Sequence, residues 1–173
     1  MDTSLQNNHK TIAVFLHILS FGKWVIPFGN FILPIVLWGI NSKKSKFVDH
    51  HGRQVVNFQL SLALYTIALS LIAITIILVA LFSGGPELFM RLEEARGFPF
   101  ENDMGLLAIF IGTGIIIGGA LLVLAIVDVI YSIKGAVDAN DGSYFTYPLT
   151  ISFLKNTDQK EHVVIGQEEI NNA

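Results

Sequence analysis

The stretch NFQLSLALYTIALSLIAITIILVALF, Asn57–Phe82, contains no charged residue and decides the fold class of this chain. A helix needs about 20 mostly apolar residues to cross roughly 30 Å of hydrocarbon, and the bilayer core tolerates only helices or closed barrels. A second stretch, Met104–Ile133, carries Asp128 as its only charged side chain. The sequence therefore predicts two transmembrane helices.

The composition agrees with a membrane protein and excludes several kinds of site. Of the 173 residues, 52% are hydrophobic and only 14% are charged, which lies outside the usual range of soluble domains. The chain has no cysteine, so disulfides, thiolate catalysis and cysteine-based metal sites are excluded. It also has no basic stripe of the kind that binds nucleic acid. We expect no cofactor, no metal and no nucleic-acid partner.

Residues 11–40 are predicted to form a short helical hairpin. Their two apolar segments, Thr11–Gly22 and Trp24–Ile40, are separated by Lys23. One kinked helix is the alternative, but it would place Lys23 in its middle, whereas a hairpin tip lets this side chain reach the interface. With the two long helices, the hairpin predicts an all-α integral membrane protein, a bundle of about four helices. We expect a polar tail at 1–10, a membrane domain at 11–154 and a disordered acidic tail at 155–173.

The distribution of charge predicts the topology in a bacterial inner (cytoplasmic) membrane. Asn41–Arg53 is the most basic stretch, so the positive-inside rule places it in the cytoplasm. The loop Ser83–Asp103 has five acidic residues, which outweigh Arg91 and Arg96, and it is expected in the periplasm. The C-terminus then returns to the cytoplasm.

Polar and small residues inside the spans are candidates for function or for helix packing. Asp128 could serve a proton or ion relay, or it could make a structural polar contact. Gly114 and Gly118 form a small-residue pair that suits close helix packing in lipid. The other span carries a polar stripe at helical spacing, which predicts a helix interface or a wet conduit and consists of Gln54, Asn57, Ser61, Ala68 and Thr75.

The start of the first span and the end of the second lie on the same side of the membrane, because two consecutive spans cross it and return. We therefore predict that polar residues at these two ends contact each other at the cytoplasmic face, and we call this set the polar latch. Its members are His51, Arg53, Gln54, Asn57, Asp138, Asn140 and Asp141. Tyr144 and Tyr147 are expected at the headgroup level. The spacing of the histidines lacks the i, i+4 pair of a metal site, and His17 is expected to hydrogen-bond a neighbouring helix.

Three local motifs together resemble a known family. They are HILS at His17–Ser20, FVDHHGRQVVNFQ at Phe47–Gln59 and ANDGSYFTYPL at Ala139–Leu149. The chain resembles the bacterial small multi-pass membrane proteins of unknown function that are grouped with Tic twenty, a component of the chloroplast inner-envelope translocon. The resemblance implies a bundle of about four membrane helices and no reaction.

The absence of a recognisable nucleophile with its base predicts that the chain is not an enzyme. We expect a structural or partner-binding subunit of a membrane complex, in contact with the bilayer and with a membrane-protein partner or a second copy of itself. The alternative is a transporter or channel-like conduit for an ion, a proton or a protein, which would use Asp128 and the Asn57–Thr75 stripe.

Overall fold

The computed structural model describes residues 3–83 and 104–155, apart from the side chains of Thr3 and Leu106. The described residues contain four α-helices, namely α1 (Thr3–Ile18), α2 (Gly29–Asn41), α3 (Lys46–Ser83) and α4 (Met104–Asp141). Short 3-10 helices at Leu19–Trp24 and Ser42–Lys44 join the first three. The predicted all-α class, with two short N-terminal helices and two long apolar ones, is confirmed.

The two long helices, α3 and α4, are long and apolar enough to cross a membrane. Each has 38 residues, which at 1.5 Å per residue gives a length of about 57 Å. The most apolar 18-residue window of each helix has a mean hydropathy of 2.6, and none of it is buried in the protein. The core helix of a soluble domain would be covered instead, so lipid is the environment that suits these exposed apolar side chains.

The region 11–40 forms two helices rather than one kinked helix. The carbonyl oxygen of Gly22 accepts hydrogen bonds from the backbone of Val25 and of Ile26, both at 3.0 Å, and so closes the turn. Gly29 begins α2 directly against the backbone of Gly22, where a Cβ atom would not fit. Lys23 is exposed at this turn.

The first helix begins earlier than the sequence predicted. Thr3–Lys10, which was expected to belong to a polar tail, forms the first turns of α1. The predicted acidic loop Ser83–Asp103 and acidic tail 155–173 lie outside the described residues, except for Ser83 and Lys155.

The chain divides into two compact units, which we describe separately. The polar unit comprises the described residues of Met1–Ser61 and Val129–Ala173, and the apolar unit is Leu62–Asp128. The polar unit holds most of the buried side chains, including Leu16, Phe58 and Tyr147. The Phe58 and Tyr147 rings stack with their centroids 4.1 Å apart, which joins α3 to the segment after α4.

Candidate functional site

A chain of buried hydrogen bonds runs through the centre of the polar unit. His17 of α1 contacts Tyr147 through Nδ1 (2.7 Å to Oη) and His51 of α3 through Nε2 (2.8 Å to Nδ1). His51 in turn contacts the backbone oxygen of Ser143 through Nε2, at 3.2 Å. His17 and His51 are fully buried and Tyr147 is nearly so. The network therefore joins three parts of the sequence, α1, α3 and the segment after α4.

The backbone oxygen of Ser143, at the end of the network, determines the direction of every hydrogen bond in it. A carbonyl oxygen only accepts, so His51 Nε2 donates to Ser143, and Nδ1 of a neutral His51 must accept. His17 Nε2 therefore donates to His51, and His17 Nδ1 accepts the hydroxyl proton of Tyr147. Every polar atom is satisfied with both imidazoles neutral. Burial, assisted by the neighbouring His51 and His50, lowers the pKa of His17 to about 3.

Glycine at position 135 allows α4 to approach this network closely. A Cβ atom at Gly135 would lie 2.5 Å from His17 Nδ1 and 3.0 Å from the ring of Phe145. Ser20 links α1 to α4 a short distance away, because its hydroxyl contacts Ser132 at 3.1 Å as well as the His17 carbonyl at 2.6 Å. The site is therefore packed as tightly as a protein core, with little room for a substrate.

The residues of the predicted latch that belong to α3 bind the backbone after α4. The Asn57 amide makes two hydrogen bonds to Leu154, donating to its carbonyl at 3.1 Å and accepting from its N–H at 2.8 Å. Gln54 accepts from the N–H of Tyr147 at 3.3 Å, and Ser61, which belongs to the polar stripe and not to the latch, accepts from that of Ile151 at 2.8 Å. These side chains therefore hold an irregular segment in place by satisfying its backbone.

Arg53 makes a similar contact but is also part of an ion pair. It donates to the carbonyl of Lys155 and forms a salt bridge with Asp49 at 2.7 Å. Asp49 also accepts a hydrogen bond from the Trp38 indole at 2.9 Å, which fixes α2 beside the start of α3.

The latch residues of α4 have a different arrangement. The backbone carbonyl of Asp138 accepts from Ser143 N–H at 2.9 Å and ends the helix, with Gly142 at φ 83° in the turn. Within the described residues, no hydrogen bond joins the side chains of Asp138, Asn140 or Asp141 to the latch residues of α3. The structure thus brings together the α3 half and backbone groups, and the carboxylates of the α4 half stay outside that network.

The candidates in the spans are placed as follows. Asp128 is 1% exposed, at the end of the apolar unit. Cβ atoms added at Gly114 and Gly118 would have open space within 4 Å, outside the adjoining backbone of their own helix, and their use in helix packing stays a prediction. Of the polar stripe, Asn57 and Ser61 are buried, whereas Ala68 and Thr75 are exposed.

Tyr147, which was expected to be an anchor at the headgroup level, is buried in the protein. It is 3% exposed and donates to His17, whereas Tyr144 is 61% exposed, as a headgroup anchor would be. The prediction that His17 hydrogen-bonds a neighbouring helix is confirmed by its contact with His51 of α3. An imidazole in an apolar helix needs a partner for each ring nitrogen, and this requirement could also have pointed to a second partner, which is Tyr147. The described residues contain no group of three or more acidic, histidine or cysteine side chains that could hold a metal ion.

Comparison with known families decides the lineage. Residues 8–154, which include the whole hydrogen-bonded network, match the MamF/MmsF family, described as the magnetosome magnetite crystal formation protein family. The chain belongs to this family. The resemblance to Tic-twenty-like proteins was wrong, because the MamF/MmsF match covers all three motifs on which it was based. This MamF/MmsF protein has no match among curated proteins or among solved structures.

Proposed function

We propose that this chain is a non-enzymatic protein of the magnetosome membrane that presents its acidic loop, residues 83–103, to the growing magnetite crystal. The observation that carries the proposal is the pair of exposed apolar helices, α3 and α4, on either side of that loop. Membership of this family indicates that the biological process is the formation of magnetite crystals.

The charge distribution supports an orientation with this loop in the magnetosome lumen. The magnetosome membrane derives from the inner membrane, so its lumen corresponds to the periplasmic side. The basic residues before the first span, Lys43, Lys44, Lys46 and Arg53, favour the cytoplasm, and two spans in sequence leave the intervening loop on the opposite side.

The chemistry of the loop suits an iron mineral. Carboxylates are hard oxygen ligands that bind iron ions and exposed iron atoms of an oxide surface. The acidic residues of the loop are Glu87, Glu93, Glu94, Glu101 and Asp103. A carboxylate-rich surface fixed to the membrane would bind the crystal as it grows and so influence its size, without any covalent reaction.

The polar unit supports a structural role on the cytoplasmic side. Its buried polar side chains, such as His17 and Asn57, make internal hydrogen bonds. The alternative function, a conduit, is less well supported. Asn57 and Ser61, which were expected to line it, instead bind the backbone of the last described segment of the chain. A surface for a membrane partner or for a second copy remains part of the proposal.

Neutralising the loop tests this proposal in cells that lack the unaltered protein. The variant replaces all five loop carboxylates by their amides, E87Q/E93Q/E94Q/E101Q/D103N, and the control treats the tail in the same way, D158N/E161Q/E168Q/E169Q. We expect electron microscopy to show smaller crystals for the loop variant and unchanged crystals for the tail variant, at equal membrane abundance. Equal crystal sizes for both variants and the unaltered protein would contradict the proposal.

A further inference from the structure

A basic pocket of about 500 Å³ lies in the polar unit, away from the histidine network. Three parts of the chain line it, namely the first half of α1, the residues around the start of α3 (44–47) and the turn after α4. The polar lining side chains are Gln6, His9, Lys10, Lys44, Ser45, Lys46 and Tyr144. None of its described lining residues is acidic.

Two of the three lysines of this pocket, Lys10 and Lys44, donate hydrogen bonds to neutral oxygens, which do not compensate their charge. Lys10 Nζ donates to the backbone oxygen of Asp141 at 3.4 Å, and Lys44 Nζ donates to the side-chain oxygen of Asn41 at 3.1 Å. An ammonium group has three donors, so each of these two lysines keeps donors for a further acceptor. Ammonium groups that line one pocket repel each other, and an anion bound there would remove that cost.

The backbone adds to this positive potential. The pocket is lined by Lys46 and Phe47, the first residues of α3, where the helix dipole places partial positive charge. The stem of Lys10 lies against Gly142, whose positive φ of 83° forms the turn that ends α4. The position of Lys10 is therefore set by the fold and does not depend on a bound ligand.

We propose that this pocket binds a phosphate group, carried either by an anionic lipid headgroup or by a soluble phosphate. Lysine ammonium groups beside a helix N-terminus are a common arrangement for phosphate, which accepts hydrogen bonds from several directions. The pocket belongs to the part of the chain expected on the cytoplasmic face, where anionic headgroups lie. The proposal does not depend on the role of the acidic loop.

Calorimetric titration of the full chain in a non-ionic detergent tests the site with two probes. One probe is inorganic phosphate, and the other is monomeric dihexanoyl phosphatidylglycerol, with sodium chloride at matched ionic strength as the blank. The pocket variant is K10Q/K44Q. The matched control is K23Q/K43Q, which removes the same charge from two exposed lysines that do not line the pocket.

We expect the pocket variant to weaken binding by at least about tenfold and the control to stay within about twofold, since charge-assisted hydrogen bonds are lost only in the former. Binding of the lipid probe alone would identify a headgroup as the source, and binding of inorganic phosphate would identify a soluble one. No binding of either probe, or equal weakening in the two variants, would overturn the proposal. If circular dichroism shows that K10Q/K44Q has lost helix, H9Q/K46Q tests the other wall of the pocket.

Discussion

At the scale of single residues, His17 is the side chain on which the polar unit depends most. It accepts a hydrogen bond from Tyr147 and donates one to His51 inside the buried core. Replacing it removes one hydrogen bond from a buried hydroxyl and one from a buried imidazole nitrogen, and each such loss costs about 1–3 kcal/mol.

We therefore expect His17→Phe, which roughly preserves volume, to lower the free energy of unfolding by about 2–4 kcal/mol. Tyr147→Phe removes one hydroxyl and should cost about 1 kcal/mol. The measurement is unfolding of the detergent-solubilised chain by titration with sodium dodecyl sulfate, with Gln6→Ala as an exposed control. A stability of His17→Phe equal to that of the unaltered chain would show that the network is dispensable.

Protonation of His17 gives a second prediction at this scale. Burial lowers its pKa to about 3 from the ordinary 6.5, so below pH 6.5 the unfolded chain takes up a proton that the folded chain does not. The contribution of His17 to stability is complete above about pH 6.5 and decreases as the pH falls towards 3, by at most about 1.4 kcal/mol per pH unit. Melting temperatures of the unaltered chain and of His17→Phe should therefore differ most at neutral pH and converge as the pH falls from 6.5 to about 3, the window set by the two pKa values. A gap that stays constant with pH would exclude His17 as the titrating group.

At the scale of elements, the approach of α4 to His17 depends on Gly135. Gly135→Ala would place a Cβ atom 2.5 Å from His17 Nδ1, and we expect this clash to cost about 1–3 kcal/mol despite the better helix propensity of alanine. Gly119→Ala, on the same helix but in open space, is the matched control and should be neutral or slightly stabilising. Equal thermal stabilities of the two variants would mean that α1 can shift to relieve the clash.

The attachment of the final described segment to α3 depends on Asn57 and Ser61. Asn57→Ala removes both hydrogen bonds to Leu154, so the backbone around Lys155 should open and be cut by trypsin several-fold faster than in the unaltered chain. Thr75→Ala serves as the control, because that hydroxyl only bonds back to Leu71 in its own helix. Limited proteolysis followed by mass spectrometry measures the rate, and unchanged cleavage would show that other contacts hold the segment.

At the scale of the whole molecule, the natural absence of cysteine allows a direct test of orientation. A single cysteine at Ala95→Cys marks the acidic loop, and one at Ala173→Cys marks the tail. In intact magnetosomes, a membrane-impermeant maleimide should label the tail cysteine and reach the loop cysteine only after detergent is added. Labelling of Ala95→Cys in intact vesicles would place the loop in the cytoplasm and would remove the basis for its contact with the mineral.

The three motifs that suggested the wrong lineage have a structural role in this chain. His17, His51 and Tyr147 each belong to a different one of the three motifs on which the resemblance to Tic-twenty-like proteins was based. In the structure these motifs meet in one hydrogen-bonded network. They therefore describe a way of packing polar groups, and the match over residues 8–154 was needed to decide the family.

The sequence by itself determined the fold class and the long helices, since the length and hydropathy of a span are local properties that can be read along the chain. It also placed Lys23 at a turn between two helices. Only the tertiary structure decided which polar groups meet, because His17 lies 34 residues from His51 and 130 from Tyr147. Such partners are chosen by the requirement that every buried donor and acceptor be satisfied, and this requirement acts on neighbours in space.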